Sequence, residues 1–109
     1  MIHTDLAADV TLSTTPNQKY VITSNPITYK FRLTNPASGF DMHTIIEIIN
    51  HSDYDQTITS GGSFEMFHTN IGGPAATADI LIERGQRALL TVSENADGDK
   101  EFFITNLSA

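Results

Sequence analysis

His43, Glu47 and His51 are spaced four apart and are of the types that hold metal ions. They fall on one side of the apolar run Met42–Asn50, which reads as a strand. Residues four apart on a strand are separated by about 13 Å, whereas zinc–ligand bonds are about 2.0–2.2 Å long. Two of them therefore cannot hold one ion from a single strand, and a neighbouring strand, for example one carrying Glu65 or His68, or a symmetry copy would have to complete the site. Histidines beside a buried strand are the expected reading, with no metal and no cofactor.

Two polar loops offer other chemistry. Asn95-Ala96-Asp97-Gly98-Asp99-Lys100-Glu101 places oxygen ligands at alternate positions, but Gly98 comes too early for an EF-hand. A hairpin with acidic flanks is expected there. His51-Ser52-Asp53-Tyr54-Asp55 reads as a polar tip, and such loops carry recognition more often than cores do. The local signatures of hydrolases and nucleotide binders are missing: there is no G-x-S-x-G elbow and no glycine-rich loop ending in Lys-Ser or Lys-Thr. The absence of cysteine removes thiolate nucleophiles, Cys-based zinc sites and disulfides together. No catalytic residue is assigned, and the chain is expected not to be an enzyme.

The elements that would carry these loops are strands. Fourteen threonines and twelve isoleucines favour a pleated sheet over a helix, because both are β-branched and stiff at χ1. Ile27-Thr28-Tyr29-Lys30-Phe31-Arg32-Leu33 alternates apolar and polar residues between Asn25-Pro26 and Asn35-Pro36, so it is a half-buried strand with defined limits. Further strands are expected at Ala8–Ser13, Tyr20–Ser24, Met42–Asn50, Thr57–Thr59, Phe64–His68, Ala78–Glu83, Ala88–Ser93 and Phe102–Asn106. The gaps hold turn residues, most clearly Asp97-Gly98. The expected fold is all-β: one antiparallel β-sandwich over residues 1–109, of jelly-roll or Greek-key type with little helix, and with residues 1–8 as an extended N-terminal arm. Met42–Asn50 carries isoleucines on both faces, so its outer face should be covered by a loop or by a second subunit.

A net charge of -7 with only six lysines and arginines opposes polyphosphate binding, so no direct nucleic-acid partner is expected. No apolar run approaches the roughly 20 residues of a membrane helix, and MIHTDLAADV lacks the basic start of a secretory signal. Neither a membrane partner nor export is expected. Sugar-binding modules use exposed aromatic platforms, and here there is no tryptophan and only Tyr20, Tyr29 and Tyr54. Tyr29 is expected to face the core with Ile27 and Phe31.

From Asn35 onward the order of signals resembles small β-modules of tailed-phage virions. The residues carrying the resemblance are Asn35-Pro36-Ala37-Ser38-Gly39-Phe40, Ile45-Ile46-Glu47-Ile48-Ile49-Asn50-His51-Ser52, Thr57-Ile58-Thr59-Ser60-Gly61-Gly62, Ile80-Leu81-Ile82-Glu83-Arg84-Gly85 and Arg87-Ala88-Leu89-Leu90-Thr91-Val92. One departure is Phe102-Phe103-Ile104-Thr105-Asn106, where many such modules carry a tryptophan. The resemblance implies a structural protein of the virion, made in the host cytoplasm. A chain of 109 residues without stalk or repeat favours a capsid decoration (cement) protein, partnered by the major capsid protein or another virion protein and forming a homo-oligomer. The alternative is a receptor- or carbohydrate-binding module of a tail fibre or baseplate. Contacts to the partner are expected from Asp53, Tyr54 and Asp55 in the loop and from Ile2, His3 and Leu6 in the arm.

Overall fold

The structure is a computed structural model that describes residues 2–4, 9–15, 17–22, 30–68 and 77–108. Ten strands follow one another: β1 (Ile2–Thr4), β2 (Val10–Leu12), β3 (Gln18–Ile22), β4 (Lys30–Leu33), β5 (Ile45–Asn50), β6 (Gln56–Thr59), β7 (Met66–His68), β8 (Ile80–Ile82), β9 (Gln86–Glu94) and β10 (Lys100–Ser108). Among the described residues the only helical turn is a 3-10 turn at Ala37–Gly39.

The alternation of side chains produces two layers. A six-stranded sheet runs β1-β3-β5-β9-β10-β7 and a four-stranded sheet runs β2-β4-β6-β8. Leu12, Phe31, Leu33, Ile58 and Ile82 from the smaller sheet are buried with Tyr20, Ile22, Ile46, Ile48, Leu90, Val92, Phe102 and Ile104 from the larger one. Tyr20 meets Phe31 edge-on across the layers with ring centroids 5.4 Å apart, and Phe40 meets Phe102 at 5.3 Å. Such edge contacts add about 0.5–1.5 kcal/mol to the area term.

The sandwich is as expected, but its pairing is mixed. Antiparallel pairing joins β5 to β9, β9 to β10 and β6 to β8. The pairs β1–β3, β3–β5, β2–β4, β4–β6 and β7–β10 are parallel. The reason is the path of the chain, which changes sheet at every connection from β1 to β9. Four pairs of strands two apart in the order, β1–β3, β3–β5, β2–β4 and β4–β6, are thereby parallel neighbours, unlike strands joined by tight hairpins. Only β9 and β10 are consecutive in one sheet, and the turn between them is the Asp97-Gly98 hairpin.

The N-terminal arm is also revised. Ile2–Thr4 form edge strand β1, in register with Lys19–Val21 of β3. The exposed edge of β3 supplies main-chain donors and acceptors that a free arm would leave to water. Leu6 lies outside the described residues, as does Tyr29 with the first part of its expected strand.

Candidate functional site

β1, β3, β5 and β10 end, and β6 and β9 begin, at one end of the sandwich, as the registers require. The segment His51–Asp55 crosses between the sheets there, and its conformation is built from below. Asn50 is fully buried at the end of β5. Its Nδ2 donates to the Tyr54 carbonyl at 2.7 Å and to the Ile82 carbonyl of β8 at 3.0 Å. Its Oδ1 accepts from the Ser52 amide at 3.1 Å and the Ser52 hydroxyl at 2.6 Å. The Tyr54 amide in turn donates to Ser52 Oγ at 3.3 Å. At the same end the His51 amide donates to Ile22 O and the Gly85 amide to Asn50 O.

This network holds the loop in one shape while Asp53, Tyr54 and Asp55 project outward, Tyr54 being 46% exposed. An ordered loop loses less side-chain and backbone freedom when it docks, so more of its contact energy appears as affinity. Sequence reasoning placed this tip but missed its support, since Asn50 and Ser52 look like ordinary loop polars until Ile82 is brought beside them. The spacing of a strand-final Asn, then Ser two residues on, is the signal that local hydrogen bonding leaves in the sequence.

The placement of His43, Glu47 and His51 on one strand is revised. β5 begins at Ile45 and ends at Asn50, so His43 and His51 both lie outside it. His43 sits in a turn at φ 64°. Glu47 is on the outer face, where it pairs with Lys19 at 3.4 Å and Arg87 at 3.1 Å. Among the described residues no three His or carboxylate groups converge as a metal site. In the Asn95–Glu101 loop, Asn95 Oδ1 accepts from the Asp97 and Asp99 amides at 2.9 and 3.0 Å. Asn95 Oδ1 thus closes the hairpin turn.

Open grooves flank the sandwich among the described residues. One of about 400 Å³ lies at the end opposite the tip, between the 3-10 turn, Ser63–Glu65 and Asp99–Phe102. Lys100 lies beside it and donates from Nζ to the Phe40 carbonyl at 2.7 Å. A second, of about 360 Å³, is lined by His68, Asp79, Glu83, Gln86 and Asn106 beside Ile80 and Leu81 of β8. Asp79 Oδ1 accepts from the Thr59 hydroxyl at 2.5 Å.

Electrostatic shifts lie elsewhere. Asp9 is held below its ordinary carboxylate value, chiefly by the backbone amide of Lys30 at 3.0 Å, with Arg32 at 3.1 Å adding to the effect. Burial raises the Tyr20 phenol above its usual value; its hydroxyl donates to Gln18 Oε1 at 3.2 Å. Both are structural positions, one on the outer face of the smaller sheet and one in the core.

Comparison with protein families, with curated proteins and with solved structures finds no match to this chain.

Proposed function

We propose that this chain is a non-enzymatic virion structural protein, a capsid decoration protein that binds the outer surface of a phage shell and stabilises it. The observation that carries the reading is the rigid tip: Asp53, Tyr54 and Asp55 are held outward by the buried Asn50–Ser52 network, a construction suited to docking. The resemblance of Asn35–Val92 to phage virion modules supplies the partner class, the major capsid protein or another virion protein. Shallow contacts of this kind gain strength from repetition, because on a symmetric lattice each later contact is effectively intramolecular.

The test is co-sedimentation with purified shells. Binding that is lost in Tyr54→Ala and weakened in Asp53→Asn/Asp55→Asn supports the reading. Protein that never sediments with shells sinks it, and specific capture on a glycan array would instead favour a receptor- or carbohydrate-binding tail module. Of the contacts expected from the N-terminus, Ile2 and His3 belong to edge strand β1. Their contribution is read by trimming Met1–Thr4 and measuring shell binding together with folding.

A further inference from the structure

Asp97-Gly98 is the only place in the sequence where an aspartate or asparagine precedes a glycine. The pair sits at the tip of the β9–β10 hairpin, at the end of the sandwich opposite the Asp53–Asp55 loop. Both residues are exposed, and among the described residues no hydrogen bond or ion pair holds the Asp97 carboxylate. Gly98 lies at φ 84°, and a side chain built there would meet nothing within 4 Å. Nothing on Gly98 therefore shields its amide nitrogen from the neighbouring carboxyl carbon.

From this we infer that Asp97-Gly98 is a self-modification site at which aspartate converts to isoaspartate, and that Asn95 sets the rate. In the first step the Gly98 nitrogen bonds to Cγ of Asp97. The bond from Cγ to its hydroxyl breaks, and the hydroxyl leaves with the amide proton as water, closing a cyclic succinimide. In the second step water adds to the ring. Attack at Cγ restores aspartate, whereas attack at the main-chain carbonyl of Asp97 breaks its bond to the Gly98 nitrogen and leaves the chain running through the side chain. Solvent water balances both steps, and nothing is oxidised or reduced.

Ring closure requires the peptide plane between Asp97 and Gly98 to turn until its nitrogen faces Cγ, and the hairpin opposes that rotation. The Gly98 amide donates to the Asn95 carbonyl at 3.1 Å, and the Asn95 amide donates to the Asp99 carbonyl at 2.8 Å. Asn95 Oδ1 accepts from the amides of Asp97 and Asp99, which flank the reacting peptide. Asn95 is itself anchored through Nδ2 to Glu101 Oε1 at 3.1 Å. The turn thus keeps a reactive dipeptide in an unreactive shape, and reaction proceeds when the tip opens locally. The product carries an extra main-chain atom inside a turn closed by the pairing of Glu94 with Lys100, so the hairpin end loosens. The inference does not rest on the capsid reading and is measured without shells.

The experiment incubates the purified chain in mildly acidic buffer, folded and in guanidinium chloride. Isoaspartate is counted by enzymatic methyl transfer from S-adenosylmethionine and located by peptide mapping. It is expected at position 97 and should form more slowly in the folded chain than in the unfolded one. Asn95→Ala should speed the folded reaction about fivefold or more, the net worth of about one hydrogen bond, and leave the rate in guanidinium unchanged. Asp97→Ala should abolish the signal. Far-UV circular dichroism verifies that each variant is folded, and if Asn95→Ala fails to fold, the two wild-type states still decide. No isoaspartate at position 97 in the unfolded chain, equal rates in the two wild-type states, or a folded Asn95→Ala that reacts at the wild-type rate overturns the inference.

Discussion

The two outer faces of the sandwich cover the same core and differ in almost every respect. On the four-stranded sheet, Thr11, Lys30 and Arg32 are exposed, Asp9 ties β2 to β4 through the Lys30 amide and the Arg32 guanidinium, and among the described residues Leu81 is the one large exposed apolar side chain. On the six-stranded sheet, Val21, Ile45, Ile49, Phe67, Leu89, Phe103 and Leu107 share the outer face, and Glu47 stands between two cations, Lys19 of β3 and Arg87 of β9. Both faces are compatible with the same inner packing, which teaches that the fold requires only the inner half of each strand. The outer half is available for selection by what surrounds the protein.

The sharpest form of this contrast lies within β5. Ile46 is fully buried while Ile45 is 47% exposed. Ile46→Ala should lower stability by about 3 kcal/mol, the sum of lost transfer energy and a cavity, whereas Ile45→Ala at low concentration should change it by less than about 0.5 kcal/mol. Urea denaturation of both variants checks the pair, and equal losses would break the comparison.

Next in size is Asn50→Ala, expected to cost about 2–3 kcal/mol because the Ser52 hydroxyl and the Tyr54 and Ile82 carbonyls lose a buried partner. Hydrogen exchange should show the Ser52–Asp55 amides losing protection before the strands do. Uniform loss of protection would mean that the tip and the sheets are one cooperative unit.

Tyr20 gives a smaller effect with a definite sign. Its folded pKa is raised by burial, so its contribution to stability is fully present below about 10, the value of an unburied phenol, and is lost as pH rises through the folded value. Absorbance titration should find Tyr20 ionising late and together with alkaline unfolding. Tyr20→Phe should remove that late step and shift unfolding to higher pH.

The smallest expected effect is at Asp9 on the polar face. Its folded pKa is depressed, so the stabilisation is present above about 3.9, the ordinary carboxylate value, and disappears as pH falls through the folded value. Asp9→Asn should flatten the acid limb of the stability curve slightly, as thermal melts between pH 2 and pH 5 would show. A much larger loss would mean that the two faces differ less in their structural importance than the exposure of Asp9 implies.

Much of this was legible in the residue order. All nine expected strands occur, generally with shifted ends: β5 starts at Ile45 because His43 turns back at positive φ, and β9 and β10 extend beyond Ala88–Ser93 and Phe102–Asn106 because they pair along nine residues. The tip at Asp53–Asp55 was legible too, since Ser and Asp around a short gap mark a loop. Its rigidity was not, because the Asn50–Ile82 bond joins residues 32 positions apart. The stacked pair Phe67–Phe103 was invisible for the same reason.

From the residue order alone follow the β character of the chain, the inward set of side chains on each strand and the places where it must turn, since all three depend on neighbours one to four positions away. Which strands pair, in which direction, and which outward set gathers into an apolar face were decided only in three dimensions. A period of two is the same for parallel and antiparallel neighbours, and the choice was made by connections that cross between the layers.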